Sequence, residues 1–458
     1  MRSIKRQTTD NLNIDWHAFY RNVFALIIPM ALQNLINVGV TAVDVMMLGR
    51  VGEKVLSGSS LAGQIQFIMM LIFFGITSGA TVLTAQYWGK KDIRTIEKIL
   101  GMGLTISLAI AVIFMTLALT IPGPLMRIFT SDPEVIAEGV KYLRIVGISY
   151  LFIAVTQVYL NIMRSIERVV IATFVYLISL IVNAVINAIL IFGLLGFPAL
   201  GIRGAAIGTL CARTIELITQ IVIIKARNNA VLANVGDYFK LDKAFLKNYF
   251  IITTPVLLNE FMWALGTTVY NIAYKYAGTI SQAAVQVANV VQNLFVVFGM
   301  GVGASCGILI SNALGARDKD KAIDYAKKCT YLAILCSIFL GAILFTISPF
   351  VVNLFDIENE GKHYAELMLW VVSVGMLFKT INYINIVGIL RNGGDTVFCF
   401  ICDTASVWFV GVPMAFLGAK YLGLPIYIVY AMVYSEEVFK TIVSQTRVIR
   451  KTWLKTVI

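Results

Sequence analysis

The sequence predicts an all-α membrane protein with twelve transmembrane helices in two six-helix lobes, related by a pseudo-twofold axis along the membrane normal. Three observations support this fold class: an apolar composition, twelve long apolar runs and an internal repeat. Of the 458 residues, 59% are hydrophobic and 14% are charged, whereas soluble domains carry about 25% charged residues. Such a composition is typical of a chain that lies mostly within a lipid bilayer.

Each of the twelve apolar runs is long enough to cross a membrane, since the hydrocarbon core needs about 20 residues per helix. The first twenty residues are polar and lack the apolar region of a cleaved signal peptide. We therefore expect the first helix to act as its own insertion signal. In chain order, the runs cover residues 22–48, 60–85, 100–123, 137–163, 168–193, 202–225, 248–275, 283–310, 328–353, 364–390, 397–419 and 423–445.

Lysine and arginine are distributed unevenly between the two ends of these helices. With a cytoplasmic amino terminus, 26 of the 37 basic residues lie on the cytoplasmic side, Arg164, Arg391 and Lys440 among them, and nine lie on the opposite side. The positive-inside rule therefore predicts a multi-pass protein of the plasma membrane with both termini in the cytoplasm. Since this topology and anionic lipid explain the net charge of +12, we expect no nucleic-acid partner.

An internal repeat divides the chain into two halves. A shift of 226 residues places segment 22–92 on segment 248–318 without a gap, with thirteen identical pairs. Because the match joins helices 1 and 2 to helices 7 and 8, the repeating unit is six helices, and an even number gives both halves the same orientation. We predict an amino-terminal lobe of residues 1–225, a cytoplasmic linker of residues 226–247 and a carboxy-terminal lobe of residues 248–458.

This architecture favours a transporter over a channel or an enzyme. Two-lobed bundles bind substrate between the lobes and work by alternating access, whereas the sequence has no filter motif typical of a channel. Neither HExxH nor GxSxG occurs, so we expect no enzymatic activity. The six cysteines lie in or beside apolar runs and only two histidines are present, so the sequence indicates neither disulfides nor a metal site.

Five motifs carry a family resemblance: "VDVMMLGRVG", "GITSGATVLTAQYWGKKD", its echo "GVGASCGILISNALGARD", "NAILIFGLLGFPALGIRGAAIGT" and "GILRNGGDT". Together they resemble the multidrug and toxin extrusion (MATE) family of the bacterial kind, over residues 22 to 445. The resemblance implies Na⁺- or H⁺-coupled efflux of amphipathic drugs or toxins, expected to be cationic. We also expect a monomer with no cofactor besides the coupling ion. The alternative is a flippase for a lipid-linked sugar, or an exporter of another amphipathic metabolite.

Asp44 in the first motif is the candidate coupling residue of the amino-terminal lobe. It matches the position of the acid that binds a proton or cation in many bacterial relatives, and a carboxylate facing lipid would be costly. Related proteins also carry Asn and Asp four residues apart in helix 5, where this chain has Asn183 and Asn187. The alternatives are an interfacial Asp44 satisfied by water or Arg50, and an asparagine pair that only joins helices.

The candidate residues of the second lobe depart from the family pattern. Some relatives use an acid in helix 7 and another in helix 10 to bind a cation, but here Glu260 lies one turn early and Lys379 stands near the second position. From the helical rise, Glu260 and Lys379 lie about 18 and 16 Å above the cytoplasmic ends of their helices. We therefore predict that the two face one cavity and pair; the alternative is a static ion pair that locks the lobe.

Other intramembrane polar residues complete the predicted site. Gln64 and Gln286 lie on helices 2 and 8, where they could line the substrate cavity or bond between helices. Tyr270, which the repeat aligns with Asp44, is also assigned to the cavity. The remaining charges have structural interpretations: Arg213 with Glu216 as a local pair, Asp403 as a partner of Arg391 or a snorkelling side chain, and Asp395 as part of a cytoplasmic turn.

Overall fold

A computed structural model describes residues 16–226, 243–355 and 358–457, which contain helices and connecting turns but no strand. A short helix, Pro122–Arg127, precedes the fourth long helix and is not numbered. The long helices are α1 (Trp16–Val51), α2 (Glu53–Gly89), α3 (Ile93–Thr120), α4 (Pro133–Ser165), α5 (Val169–Phe192), α6 (Ile202–Ala226), α7 (Lys243–Tyr274), α8 (Thr279–Gly315), α9 (Lys319–Val352), α10 (Asn359–Leu390), α11 (Thr396–Tyr421) and α12 (Ile426–Val433 continued by Ser435–Ile449).

In the part of the chain described, eleven helices are long and apolar enough to span a membrane. The twelfth, α12, is interrupted at Tyr434 and carries Glu436, Glu437 and Lys440 in its next turns. These three charged side chains are buried, so they belong to the protein interior and not to the lipid-facing surface. The twelve-helix fold class predicted from the sequence is confirmed, with the last helix interrupted and more polar than the others.

Matching helix starts show the internal repeat in three dimensions. Asp92 and Asp318 both cap the helix that follows: their carboxylates accept hydrogen bonds from the backbone N–H groups of Thr95 and Lys321, at 3.2 and 3.0 Å. The residue before each cap has the same left-handed backbone, with φ of 63° in both Lys91 and Arg317. The two helix-to-helix turns are therefore equivalent in position and in conformation.

Each half of the chain has its own packed interior. One cluster of buried side chains joins α2, α3 and α4 and includes Phe73 and Tyr150, while another joins α8, α10 and α12 and includes Met368 and Val429. Within a bilayer such packing is stabilised by close van der Waals contact, since lipid is as apolar as the side chains. The linker predicted at 226–247 falls mostly on residues 227–242, outside the described part of the chain, so the domain boundaries stay a prediction.

The two lobes meet closely at one end of the molecule, where α2 and α8 finish. A Cβ atom added to Gly89 would overlap the backbone carbonyl of Asn312, and one added to Gly315 would overlap that of Gln86. Only glycine therefore permits this approach of the two backbones. Further along α2, Gly75 and Gly79 pack in the same way against Leu257 and Thr253 of α7, so the contact extends towards the middle of the bundle.

The segment after α12 fastens this closed end. Trp453 is 1% exposed, and the side chain of Lys455 pairs with Asp395 at 2.6 Å. The Gln86 side chain accepts a hydrogen bond from the Val457 backbone at 3.0 Å and donates to the carbonyl of Lys455 at 3.4 Å. Asp395 does lie in a turn, as predicted, but it is 3% exposed and joins this segment to α12 through Arg447 at 2.8 Å.

One expectation about the cysteines is wrong. Cys306 of α8 and Cys329 of α9 form a disulfide, with their Cα atoms 6.1 Å apart, whereas the sequence pattern indicates none. The two residues lie at similar distances before and after the turn that joins the antiparallel helices, which places them at one level. The other four cysteines are free.

Candidate functional site: a charged cavity between the lobes

A cavity of about 260 Å³ lies between the two lobes, just beyond their closed end. Helices α1, α2 and α4 form one wall and helices α7, α8, α10, α11 and α12 form the other. Its lining combines apolar groups with charged ones that are rare within membranes. The lining residues used below are Met30, Asn34, Phe74, Ser78, Asn161, Arg164, Asn259, Glu260, Trp263, Met300, Ala304, Lys379, Asn382, Arg391, Asp403, Glu437 and Lys440.

Arg391 links the two lobes across this cavity, because it pairs with Glu260 of its own lobe and donates to Ser78 of the other. Arg391 Nη2 lies 3.0 Å from Glu260 Oε1, and the side chains are 2% and 14% exposed respectively. The other terminal nitrogen of Arg391, Nη1, donates to the hydroxyl of Ser78 on α2, 3.1 Å away. One guanidinium therefore contacts an acid of its own lobe and a hydroxyl of the opposite lobe.

The predicted pairing of Glu260 with Lys379 is wrong. Both residues line the cavity, but Arg391 occupies the position beside Glu260, and the Lys379 ammonium lies over the Tyr434 ring, 5.9 Å from its centroid. The physical reason lies in α10, which changes to a π-helix over Tyr383–Leu390. The wider turns of a π-helix change the direction of the side chains that follow, so Arg391 points into the cavity instead of lying at the cytoplasmic surface.

A second polar cluster joins α7, α10, α11 and α12. Lys440 Nζ lies 2.6 Å from Asp403 Oδ1, and the amide of Asn259 donates to the other Asp403 oxygen at 3.0 Å. Asn382 donates to the carboxylate of Glu437 at 2.7 Å, and Lys440 lies 3.9 Å from the same carboxylate. Asp403 is therefore paired with Lys440, and the predicted alternatives of snorkelling or pairing with Arg391 are both wrong.

Sequence reasoning missed the acids of α12. Glu436 and Glu437 lie in the polar end of the last apolar run, where charged residues are expected to be at the cytoplasmic surface. Tyr270 donates a short hydrogen bond to Glu436 and is 9% exposed; it is not among the residues lining the cavity described here. The feature that could have identified these acids is the pair of adjacent glutamates directly after the break in α12, because an interrupted membrane helix indicates a polar interior.

The amino-terminal lobe holds a separate polar cluster around Asp44. Asn187 Nδ2 donates to Asp44 Oδ1 at 2.6 Å and lies 3.2 Å from Asn183 Oδ1. The structure thus brings these three predicted residues together, and it leaves Asn187 Oδ1 buried without a hydrogen-bond partner in the described chain. Asp44 is ten residues beyond Asn34 on α1, which corresponds to about 15 Å along the helix, and it does not line the cavity between the lobes.

Neighbouring charges balance this cluster. Arg213 pairs with Glu216 at 2.6 Å, as the sequence predicted, and Glu216 is completely buried. Ser179 of α5 donates to the same carboxylate at 3.2 Å. The Arg213 guanidinium also lies close enough to Asp44 to interact with its charge, so Asp44 sits within a polar interior and not against lipid.

The remaining predicted cavity residues lie elsewhere. Gln64 and Gln286 are exposed on α2 and α8, and neither lines the cavity. On α8 the buried amide is Gln292, whose oxygen accepts hydrogen bonds from Tyr430 and Tyr434 at 3.2 and 2.6 Å. Across the described ranges, no group of three or more His, Cys, Asp or Glu residues could hold a metal ion.

Comparison with known proteins identifies the family. The MatE family model matches residues 29–189 and 255–417, more than half of the chain. The chain belongs to the MATE family. The two matched segments begin at Pro29 and Pro255, the pair that the internal repeat aligns. As a MATE protein, the chain is a multi-pass membrane transporter for small substrates and not an enzyme.

Individual relatives agree with this assignment. The "Probable multidrug resistance protein YoeA" of Bacillus subtilis (strain 168) is 22% identical over 411 residues, covering 89% of this chain and 88% of that protein. A solved MOP superfamily transporter from Pyrococcus furiosus, described as having a binding pocket of reverse polarity, superposes with a TM-score of 0.85 at 18% identity, over 96% of this chain and 97% of that one. A MATE transporter solved in an outward-facing conformation also gives 0.85 at 18% identity, over 95% and 97% of the two chains. The MATE fold is therefore shared along nearly the whole chain.

Proposed function

We propose that this MATE protein is a monomeric antiporter that exports amphipathic small molecules in exchange for Na⁺ or H⁺, by alternating access. The observation that carries the proposal is the cavity between the lobes, which is closed at one end and lined by Glu260, Arg391 and the opposite lobe's Ser78. A single chain supplies both walls of this cavity, which supports a monomer. No cofactor other than the coupling ion is proposed.

We propose that the closed end faces the cytoplasm. Arg164, Arg391 and Lys440, counted as cytoplasmic from the sequence, lie along the cavity instead. The remaining basic residues still favour a cytoplasmic amino terminus in the plasma membrane. In this orientation the contacts at Gly89 and Gly315 close the inner side, and the molecule is in an outward-facing state.

Coupling follows from the contacts of Arg391. When a proton or Na⁺ neutralises Glu260, the adjacent guanidinium loses the partner that positions it, and its hydrogen bond to Ser78 weakens. That bond joins the two lobes, so its loss favours separation at the inner side. Asp44, held by Asn187 at 2.6 Å, is proposed as a second coupling acid within the amino-terminal lobe. Asn183 and Asn187 would then supply amide oxygens to a bound proton or cation.

Transport in proteoliposomes tests this function. Export of a fluorescent amphipathic dye is measured with a Na⁺ gradient alone, with a pH gradient alone, with both collapsed and with ATP alone. One of the two gradients should drive export, and collapsing both should stop it. Export that persists with both gradients collapsed, or that needs ATP, would overturn the proposal.

The second candidate is the flippase for a lipid-linked sugar. It is favoured by one observation, the four basic side chains that line the cavity, Arg164, Lys379, Arg391 and Lys440, because such groups suit a lipid phosphate. The same vesicles distinguish the two: a flippase would move a labelled polyprenyl-phosphate sugar between leaflets, whereas the antiporter would leave it in place while exporting the dye.

A further inference from the structure

The acids of the cavity are all occupied by partners. Glu260 pairs with Arg391 at 3.0 Å, and Asp403 pairs with Lys440 at 2.6 Å. Glu437 accepts from Asn382 at 2.7 Å and lies 3.9 Å from Lys440. Each of these three carboxylates therefore has a protein cation within 4.0 Å, with Lys440 shared by Asp403 and Glu437. A positively charged substrate would have to compete with those cations.

Two cations of the same cavity lack a carboxylate. Neither Arg164 nor Lys379 has an acid oxygen within 4.0 Å in the described parts of the chain, although both line the cavity. Arg164 makes one long hydrogen bond to Asn161, at 3.4 Å, and lies over the Tyr176 ring, 5.7 Å from its centroid. Its buried Nε has no hydrogen-bond partner among the described residues. The Lys379 ammonium lies over the Tyr434 ring, 5.9 Å from its centroid, and interacts with the charges of Glu437 and Glu436 only from beyond ion-pair distance.

The internal repeat explains why Arg164 is left unpaired. Arg164 corresponds to Arg391 at a shift of 227 residues, one more than in the first two helices of the repeat. The residue 226 positions before Glu260 is Asn34, which lines the cavity on α1. The carboxy-terminal lobe therefore has an arginine with an acid, and the amino-terminal lobe has the equivalent arginine with a neutral amide. An uncompensated cation inside a membrane protein is costly, so its retention favours a bound negative group.

We propose that the cavity binds an anionic group of its substrate between Arg164 of one lobe and Lys379 of the other, a specificity that rests on the transport function proposed above. The ligand is an amphipathic organic anion: a carboxylate, sulfonate or phosphate held by the two cations, with an apolar body against Phe74, Trp263 and Met300. This differs from the cationic drugs expected from the sequence. Binding from both lobes also makes the anion a bridge that favours one arrangement of the lobes.

A pair of probes with the same apolar body and opposite charge tests the proposal. Proteoliposomes of neutral lipid are loaded with 1-pyrenebutyrate or with pyrenebutyltrimethylammonium, and gradient-driven export is followed by fluorescence. Wild-type protein should export the butyrate faster, and the two single changes Arg164→Gln and Lys379→Met should each reduce its export about tenfold or more. The exposed cations Arg203 and Lys275 provide matched controls as Arg203→Gln and Lys275→Met, which should leave the preference unchanged.

A third variant tests the charge argument without removing either cation. Asn34→Glu gives the amino-terminal lobe an acid equivalent to Glu260, the partner of Arg391. The new glutamate should pair with Arg164 and lower butyrate export. Arg164→Lys keeps the positive charge and should retain most of the butyrate export. Folded yield of each variant is measured by size-exclusion chromatography, so that loss of export is scored only for folded protein.

The outcomes separate this inference from the proposed function. Gradient-driven export of the ammonium probe in preference to the butyrate, unchanged by the Arg164 and Lys379 variants, would overturn the anion site and leave the antiporter intact. Export of neither probe under any gradient would count against the antiporter itself. Vesicles containing phosphatidylglycerol test whether the two cations bind a lipid phosphate instead. Strong inhibition of butyrate export in these vesicles would assign the cations to the lipid phosphate and overturn the soluble anion as the ligand.

Discussion

The sharpest energetic prediction concerns Glu260→Gln. The substitution keeps the shape of the side chain but leaves the Arg391 guanidinium, 2% exposed, without its counter-charge. Removing one partner of a buried ion pair costs about 3–5 kcal/mol. Because glutamine still offers an acceptor oxygen to the guanidinium, we expect the lower end, about 3 kcal/mol.

The loss is measured as the change in unfolding free energy in detergent, with Glu134→Gln as the matched control. Glu134 pairs with Lys54 at 2.5 Å, but the two side chains are 71% and 50% exposed, so its loss should cost less than about 1 kcal/mol. The double variant Glu260→Gln with Arg391→Met should recover much of the loss, because no unpaired charge stays buried. A Glu260→Gln protein as stable as the control variant, or a double variant less stable than the sum of the singles, would refute the reasoning.

Two other predictions follow from the same contacts. Asp44→Asn should fold and reach the membrane, since an amide oxygen can still accept from Asn187, yet it should lose ion-driven export; drug resistance at the wild-type level in that variant contradicts the coupling role. Gln86→Ala removes the side chain that bonds to the Val457 backbone and the Lys455 carbonyl, and it should weaken the closed end by about 1–3 kcal/mol. The expected sign is faster hydrogen exchange at the end of α2. Unchanged exchange would show that the contact does not hold the lobes together.

Much of the fold was accessible from the sequence because membrane helices are governed by length and hydrophobicity. The repeat of 226 residues predicted two equivalent lobes, and its register extends to the paired caps Asp92 and Asp318. The cluster of Asp44, Asn183 and Asn187 was also predictable, since two asparagines one turn apart present their amides on the same helical face.

The charge pairing of the cavity was not predictable from helical positions alone. Depth along a helix placed Glu260 and Lys379 at one level, but the partner of Glu260 depends on the direction of side chains after the π-helix Tyr383–Leu390. Hydropathy also assigned Arg391 and Lys440 to the cytoplasmic surface, because a charge near the end of an apolar run is normally solvated. In this chain both are buried by contact between helices, which a one-dimensional pattern does not contain.

Distances between the lobes test the central claim of alternating access most directly. Spin labels are introduced as genetically encoded residues, so that the native cysteines stay in place. One pair of labels is at positions 90 and 317 beside the closed end, and the other is at positions 50 and 275 at the opposite end. All four sites are exposed. When the coupling ion and substrate are varied in lipid nanodiscs, we expect the first distance to increase as the second decreases. Distances that stay fixed under every condition, or that change together in the same direction, would contradict alternating access.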